Sequence, residues 1–259
     1  MPSSPETITE QIIQLASLIR SARRIVVLTG AGISTESGIP DYRGPNGVWT
    51  IAKPPTLGDF MENEASRRVY WERRLDSYPD LLAAQPNPAH HALVDIERAG
   101  RLSAIVTQNI DGLHQRAGSD PDRVIELHGS AHQIRCTSCQ SVFSGEAIQQ
   151  RLVAGERYPM CQVCGGILRT MTVLFGESLP AAALERSVEA ARNADMLLVI
   201  GSSLVVNPAA QLPLIARRNG AQVAIVNRTE TRLDHLAHLR IEGSAGSVIP
   251  RAVSLAHAE

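Results

Sequence analysis

The chain has no run of apolar residues close to the roughly 18 that a membrane-spanning helix requires. Its N-terminus, MPSSPETITEQ, lacks the basic and then apolar pattern of a secretory signal, and it is too acidic for a typical transit peptide. These absences argue against export and against a membrane partner. The sequence therefore predicts a cytoplasmic location.

An excess of charge of either sign is also missing. The chain has 25 lysine and arginine residues against 26 aspartate and glutamate residues, so its formal net charge is −1. No direct nucleic-acid partner is expected, because bulk attraction to a polyanion needs a basic surface. A local basic groove for a peptide or acyl anion is compatible with this charge balance. The length of 259 residues fits one large domain, or one domain with a small insert.

Cysteine is scarce, and all four cysteines fall in two CxxC pairs: Cys136 with Cys139, and Cys161 with Cys164. The 21 residues between the pairs are just beyond the usual spacer of a four-thiolate zinc site. A disulfide framework is disfavoured in a cytoplasmic chain, and a redox CxxC would not explain why the motif occurs twice. The pattern therefore predicts one structural Zn²⁺ with four sulfur ligands.

Short apolar runs that are β-branched on both faces alternate with helical patterns. The runs lie at 25–29, 104–107, 124–127, 196–201 and 223–227, and the clearest helical patterns lie at 8–19, 181–194 and 208–219. Strands that are apolar on both faces are typical of a parallel sheet covered on both sides. The sequence therefore predicts an α/β fold: a Rossmann-like open parallel sheet with helices on both faces.

Two segments interrupt this alternation. The polar cysteine-bearing segment 131–169 is interpreted as an inserted zinc-binding module, and the proline-rich segment 46–89 as a cofactor loop and helical cap. The larger Rossmann-like domain then comprises residues 1–45, 90–130 and 170–259.

The stretch TGAGISTESGIPDYRG follows the first predicted strand. It has the first two glycines of a dinucleotide-binding turn, Gly30 and Gly32, but Thr35 stands where the third would be. Glycines at these positions allow a phosphate to approach the backbone closely. The alternative is a tight turn followed by helix-capping serines.

Other polar stretches follow other predicted strands. They are TQNIDGLH at 107–114, ELHGS at 126–130, GSS at 201–203 and Asn227. Ligands of open α/β sheets bind beyond the carboxyl ends of the strands, so these residues predict a site for a polar, hydroxyl-rich ligand.

Taken in order, GAGIS…SGIPDYRG, TQNIDGLH, ELHG, the two CxxC pairs, FGE and GSSLVVNPA resemble the sirtuin family of NAD-dependent protein deacylases. The resemblance covers about residues 25–250. The stretch YWERR…QPNPAHHAL resembles the class II, mitochondrial-type branch more than the histone-deacetylase branch.

The resemblance implies a set of NAD contacts in this chain. Gly30 to Gly32 would face the phosphates, 41–43 the nicotinamide and its ribose, and Ala245 the adenine. The implied NAD-binding residues are Gly30, Ala31, Gly32, Asp41, Tyr42, Arg43, Gln108, Asn109, Ile110, Asp111, Gly201, Ser202, Ser203, Asn227 and Ala245. Gln108 and Asn109 would bind the nicotinamide ribose, and Asp111 with Ile110 the carboxamide.

The implied activity is removal of an acyl group from protein lysine, with NAD as co-substrate and nicotinamide and O-acyl-ADP-ribose as products. His128 would be the general base, acting on a ribose hydroxyl with Asn109 beside it in the catalytic centre. His114 is interpreted as structural, and His90 and His91 as helix-surface residues. Two alternatives use the same pocket: protein mono-ADP-ribosyl transfer, and a non-catalytic NAD or ADP-ribose sensor.

The acyl-lysine protein or peptide would add a strand beside the FGE segment by backbone pairing. The residues implied to line this peptide are Val173, Phe175, Gly176 and Glu177. The chain departs from the family at Thr170, where proline commonly follows the basic residue, and at Tyr42, where phenylalanine is commoner.

Tyr70 and Arg73 resemble the Tyr-x-x-Arg pair that reads carboxylated acyl groups in the desuccinylase branch. Residues i and i+3 share a face of a helix, so both could reach one channel, where arginine can grip a carboxylate with two hydrogen bonds. The alternative is an ordinary helix with Arg73 and Arg74 in solvent.

Overall fold

A computed structural model describes residues 5–41 and 56–258, and in this part of the chain nine strands form two separate sheets. The strands are β1 (Ile25–Thr29), β2 (Leu102–Thr107), β3 (Val124–Glu126), β4 (Gly129–Cys136), β5 (Val142–Ser144), β6 (Leu168–Thr172), β7 (Met196–Ile200), β8 (Gln222–Asn227) and β9 (Leu239–Glu242). The helices are α1 (Pro5–Ser21), α2 (Leu57–Glu62), α3 (Glu64–Ala83), α4 (Pro88–Arg98), α5 (Leu113–Ala117), α6 (Gly145–Val153), α7 (Ala181–Asn193), α8 (Leu212–Arg218) and α9 (Ala245–His257).

The larger sheet has six strands in the order β3-β2-β1-β7-β8-β9, and every neighbouring pair is parallel. The chain leaves β1 in one direction toward β2 and β3, and returns on its other side with β7. The order therefore reverses between β1 and β7, and ligands of doubly wound sheets bind in the crevice at such a point. The predicted Rossmann-like sheet is confirmed.

Both faces of this sheet are buried, as the apolar runs predict. Along β1, Ile25 and Val27 join the core cluster formed with α1, α4 and α9, whereas Val26 and Leu28 join the cluster formed with α7 and α8. These four side chains are at most 1% exposed. Fully burying each such side chain stabilises the fold by about 1.5–3 kcal/mol, so the central strand is a rigid base for the loop that follows it.

The smaller sheet has the order β5-β4-β6 and is antiparallel. It shares one hydrophobic cluster with α3 and α6, in which Trp71, Ile134, Ile148 and Leu168 are almost completely buried. The expected helical cap and the cysteine-bearing segment therefore pack against each other in one small unit. Its sheet extends from Gly129 to Thr172, slightly beyond the expected limits of the insert.

Several local predictions need adjustment. The expected helix over 208–219 is an α-helix only over Leu212–Arg218, preceded by a 3-10 turn at Ala209–Gln211. The expectation that His90 lies on a helix surface is wrong: it is completely buried, and its Nδ1 accepts a hydrogen bond from the backbone N–H of Asn87. His90 is the third residue of α4, where its side chain closes a capping box. His91 is exposed, as expected.

No helix in the described ranges, 5–41 and 56–258, combines the length and the apolar character needed to cross a bilayer.

The chain segments that follow β1 and β7 touch each other at three glycines. A Cβ on Gly30 would lie 2.7 Å from the carbonyl oxygen of Gly201, and a Cβ on Gly32 would lie 2.6 Å from the Cα of Gly201. Gly201 itself has φ +64°, and a Cβ there would lie 2.3 Å from the backbone nitrogen of Ile33. The Gly32 N–H donates to the Gly201 carbonyl at 2.9 Å. Only glycine permits this approach.

We predict that Gly201→Ala destabilises the protein by about 3 kcal/mol or more, because it adds both a backbone clash and left-handed strain. Gly220 provides the matched control, since its φ is +91° but a Cβ there meets nothing within 4 Å. Gly220→Ala should cost only the conformational strain, about 1–2 kcal/mol. Urea unfolding without NAD measures both variants, and equal losses would contradict the close packing at Gly201.

Candidate active site

The carboxyl ends of β1, β2, β3 and β7 bring the predicted polar stretches to one edge of the larger sheet. The segment after β1 does not continue as a long helix; it forms two short 3-10 turns, Ala31–Ile33 and Thr35–Ser37. The turn between them carries Ser34, which is completely buried and faces the segment after β2. The site is therefore assembled from loops fixed to rigid, buried strands.

Asn109 lies at the centre of this edge and is 5% exposed. Its side-chain amide donates to the carbonyl of Gly30 at 3.2 Å and to Oγ of Ser34 at 3.1 Å. Its backbone N–H donates to Oγ1 of Thr107 at 3.0 Å. The side-chain amide is thus held from the β1 loop and the backbone from the end of β2, so its orientation is fixed.

Asp111 is almost completely buried beside Asn109. Its carboxylate accepts hydrogen bonds from Oγ of Ser34 at 2.7 Å and from the backbone N–H of Leu113 at 3.0 Å. Burial raises the pKa of this carboxyl above its ordinary value, against the opposing effect of these hydrogen bonds. The neighbouring Ile110 is partly buried, and its carbonyl accepts from the backbone N–H of Ala131.

Gln108 connects the two sides of the crevice. Its side-chain amide donates to Oγ of Ser202 at 2.8 Å, and the same hydroxyl accepts from the backbone N–H of Leu204 at 3.3 Å. Ser202 is 5% exposed, whereas Ser203 is only partly buried. The hydroxyl of Ser202 is therefore part of the frame of the crevice, and Ser203 has the more accessible hydroxyl.

The far end of the crevice lies after β8 and β9. The side-chain amide of Asn227 donates to the carbonyl of Thr229 at 2.8 Å, and Ala245 is buried in the first turn of α9. Sequence reasoning missed Glu36 here: its Oε2 accepts from the N–H of Gly246 at 2.6 Å, and its Oε1 lies 3.8 Å from the guanidinium of Arg228. Glu36 follows Ser34 within the glycine-rich stretch, and only the fold brings it to α9.

His128 lies between the two sheets, in the two-residue turn 127–128 that joins β3 to β4. Its Nδ1 lies 2.8 Å from the carbonyl oxygen of Gln108. A carbonyl can only accept, so Nδ1 carries the proton in the neutral ring and Nε2 is the basic nitrogen. The carbonyl of His128 accepts from the N–H of Val173, and a Cβ on Gly129 would lie 1.8 Å from the carbonyl oxygen of Met171. These constraints fix the ring at the boundary of the two units.

The predicted peptide-lining residues follow β6. Glu177 pairs with Arg169 at 2.6 Å and accepts from the N–H of Leu174 at 3.0 Å, so its side chain braces this loop. Phe175 is 44% exposed and its carbonyl accepts from the N–H of Leu57. Gly176 adopts φ +81°, which favours glycine. Phe175 is therefore a partly exposed residue two positions after Val173, whose N–H donates to the carbonyl of His128.

Tyr70 and Arg73 have different surroundings. The hydroxyl of Tyr70 bonds Oγ1 of Thr170, and its ring packs edge-on against Phe60 with centroids 4.9 Å apart. Arg73 is exposed, whereas the next guanidinium, that of Arg74, is buried. The alternative in which both arginines lie in solvent is therefore wrong for Arg74.

Of the residues expected over the nicotinamide, Asp41 is half-buried at the end of the described segment. Tyr42 and Arg43 lie outside the described residues, so their assignment stays a prediction.

His114 is almost completely buried behind the site. Its Nε2 lies 3.0 Å from Oγ1 of Thr29, which donates to Oγ1 of Thr107 at 2.8 Å. Burial lowers the pKa of His114 to about 3 and that of the adjacent His90 to about 4, so both rings are neutral near pH 7. The structure therefore gives His114 a supporting position under Asn109.

The four cysteines converge at one end of the smaller sheet. All four Sγ atoms lie within 4.8 Å of one another; the Cys136–Cys164 distance is 3.5 Å and the Cys139–Cys161 distance is 3.6 Å. A tetrahedral zinc ion with Zn–S bonds of about 2.3 Å requires sulfur–sulfur distances of about 3.8 Å. The cluster therefore has the size and the donor set of a four-thiolate metal site.

Three comparisons agree: with a family model, with curated relatives and with solved structures. The model of the Sir2 family matches residues 30–208. The chain is 42% identical over 245 residues to the NAD-dependent protein deacylase 2 of Archaeoglobus fulgidus, covering 94% of this chain and 95% of that protein.

Two solved structures are similar over nearly the whole chain. One, described as "Structural Basis for the Mechanism and Regulation of Sir2 Enzymes", has 40% identity and a TM-score of 0.86, and the match covers 95% of this chain and 98% of that one. Another, described as "Sir2-p53 peptide-NAD+", has 37% identity and a TM-score of 0.84, with 93% and 96% covered.

Proposed function

The chain belongs to the Sir2 family and is an NAD-dependent protein lysine deacylase, and from that premise we propose that His128 is its general base. The observation that carries this proposal is the 2.8 Å hydrogen bond from Nδ1 of His128 to the carbonyl of Gln108, which leaves Nε2 as the proton acceptor. A neutral imidazole in this tautomer can take a proton from a ribose hydroxyl. The carbonyl of His128 accepts from the N–H of Val173, in the segment that would line the peptide, so we expect the ring to lie close to the acyl group as well.

We propose that NAD lies along the crevice between β1 and β7. Gly30 and Gly32 close the turn after β1 tightly against Gly201, and the buried Asn109 and Asp111 offer amide and carboxylate groups to one end of this crevice. Bound NAD supplies the electrophilic ribose carbon that accepts the acyl oxygen. Asn109 would orient the ribose and Asp111 the carboxamide, each already fixed by hydrogen bonds to the β1 loop.

The acylated peptide would extend beside Phe175 and Gly176, where it can pair with the backbone. A solved relative is described as bound to a p53 peptide and NAD+, which supports the same ligand pair for this chain. The Arg169–Glu177 pair would keep the loop in shape while the peptide exchanges. Backbone pairing reads little side-chain sequence, so the site would accept many lysine sequences.

We predict that His128→Ala binds NAD nearly normally but loses deacylation by about 100-fold or more, because general base catalysis contributes about 10²–10⁴ in rate. Calorimetry with NAD and mass spectrometry of an acetyl-lysine peptide measure the two effects. His91→Ala, at an exposed position on α4, is the control.

Retained turnover in His128→Ala would overturn the assignment of the base. The same assay on the unsubstituted protein separates the alternatives: ADP-ribose attached to protein beside an intact peptide would indicate the transferase, and intact NAD with intact peptide would indicate the sensor.

We further propose that the enzyme prefers uncharged acyl groups. The Tyr70 hydroxyl is engaged by Oγ1 and the N–H of Thr170, Arg73 is exposed, and the buried Arg74 donates to the carbonyls of Ala131 and Gly145. A carboxylated acyl group would need a guanidinium that reaches it inside the channel, and we expect neither Arg73 nor Arg74 to provide that contact.

Acetyl and succinyl versions of one lysine peptide test this preference. We expect kcat/KM to be at least about tenfold higher for the acetyl peptide, a difference of about 1.4 kcal/mol in transition-state stabilisation, and Arg73→Ala to leave the ratio unchanged. A succinyl preference that disappears in Arg73→Ala would show instead that the enzyme prefers carboxylated acyl groups and that Arg73 binds them.

Zinc is the metal that we propose for the four-cysteine cluster, as a structural ion. The buried Cys136 and Cys161 belong to the same hydrophobic cluster as Trp71, so loss of the ion would loosen the core of the small unit. We expect one zinc per chain by metal analysis, and poorly soluble protein after Cys136→Ala. Ser138→Ala, between two ligands, should keep the zinc. Soluble and fully active Cys136→Ala protein would refute a structural role.

We also propose that the chain stands with the class II branch. The stretch YWERR…QPNPAHHAL supports this placement. A phylogenetic tree of aligned catalytic cores tests this placement, and a position outside the class II branch would contradict it.

A further inference from the structure

A chain of polar contacts connects helix α3 to the loop that carries Asp111. Three side chains form it, and we call them the polar bridge: Arg74 and Tyr78 on α3, and His132 on β4. The Tyr78 hydroxyl lies 3.2 Å from Nδ1 of His132, and Nε2 of His132 lies 2.8 Å from the carbonyl oxygen of Asp111. The small unit therefore reaches the proposed carboxamide contact directly.

The partners of His132 fix its tautomer. The carbonyl of Asp111 can only accept, so Nε2 carries the proton, and Nδ1 accepts from the Tyr78 hydroxyl. The preceding residue, Ala131, donates its N–H to the carbonyl of Ile110 at 3.0 Å. Two successive residues of β4 thus hold two successive carbonyls of the Asp111 loop.

Arg74 supports this arrangement through contacts to both β4 and Tyr78. It is 7% exposed, its NH1 donates to the carbonyl of Ala131 at 3.1 Å, and its guanidinium lies 3.7 Å over the Tyr78 ring. A Cβ on Gly145 would lie 2.4 Å from the Tyr78 hydroxyl. The Tyr78 hydroxyl therefore has little room to move away from His132.

The carboxylate of Asp111 is held from the other side, by Ser34 and by the N–H of Leu113. From the small unit, Nε2 of His132 donates to the backbone carbonyl of Asp111. Because its carboxylate is bonded on one side and its carbonyl on the other, the backbone of Asp111 is held in a single position. Loss of the His132 bond would free the carbonyl while the carboxylate stayed in place.

We infer that His132 is a positioning residue for Asp111, and that the polar bridge makes nicotinamide affinity depend on how α3 packs. This inference rests on the proposed contact between Asp111 and the NAD carboxamide. It predicts effects on quantities that involve nicotinamide, namely KM for NAD and inhibition by free nicotinamide. KM for the peptide should not change, because no member of the bridge belongs to the peptide-lining loop.

Two substitutions of His132 form a matched pair. Glutamine places an amide N–H near the location of Nε2, whereas asparagine places it near Nδ1, too far from the Asp111 carbonyl. We expect His132→Asn to raise KM for NAD and the nicotinamide concentration for half inhibition about five- to tenfold, the effect of one hydrogen bond. His132→Gln should restore most of this loss, with peptide KM unchanged in both.

Tyr78→Phe tests whether the bridge acts as a unit. It removes only the hydroxyl, and we expect a smaller effect in the same direction on both nicotinamide quantities. In the His132→Asn background the same substitution should add nothing, because the hydroxyl acts through the imidazole. Independent, additive effects of the two substitutions would overturn the inference.

Asp111→Ala separates failure of the inference from failure of the proposed function. If Asp111→Ala leaves nicotinamide inhibition unchanged, the carboxamide contact itself is wrong. If Asp111→Ala changes inhibition but His132→Asn does not, only the positioning role is overturned. A His132→Asn protein with a lower melting temperature and unchanged nicotinamide inhibition would show a purely structural role.

Discussion

The close approach of the chain after β1 to the chain after β7 is the constraint on which the active site depends. These strands are neighbours at the point where the sheet order reverses, and their following loops meet at Gly30, Gly32 and Gly201. With no side chains between them, the β1 loop turns sharply and carries Ser34 to the end of β2. Ser34 then bonds both Asn109 and Asp111. A wider separation of β1 and β7 would displace all three side chains together.

The site is also prepared before any ligand binds. Buried polar groups are costly unless they are hydrogen-bonded, and Asn109, Asp111 and Ser34 satisfy one another inside the crevice. Burial raises the pKa of Asp111, so ionisation of its carboxyl is less favourable here than in water. The surrounding strands and the hydrogen bonds of Leu113 and Ser34 hold this unfavourable arrangement. Such preorganisation places polar groups where a ligand needs them without reorganisation during the reaction.

The small unit contributes more than a covering surface. Its sheet begins one residue after His128, so the position of the proposed base depends on both units. Its core joins α3 to the cysteine-bearing segment through Trp71, although residues 84–130, which include β2 and β3, separate them in the chain. The metal-sized cysteine cluster, the cap helix and the Asp111 loop are therefore mechanically connected through β4.

The sequence by itself determined the parallel α/β sheet, the zinc-type cysteine pairs and the family, because each of these depends on local patterns: β-branched runs, fixed spacing and contiguous motifs. It also identified the strand-end residues such as Asn109, Asp111 and His128 as members of one site, since parallel strands end at the same edge. Only the tertiary structure decided that His90 is buried, that Arg74 rather than Arg73 turns inward, and that Glu36 reaches α9. Those outcomes depend on which elements pack together, and helical spacing alone does not fix which face of a helix another element covers. The bond between His132 and Asp111 is of the same kind, because it joins two units whose contact is set by packing and not by any local pattern.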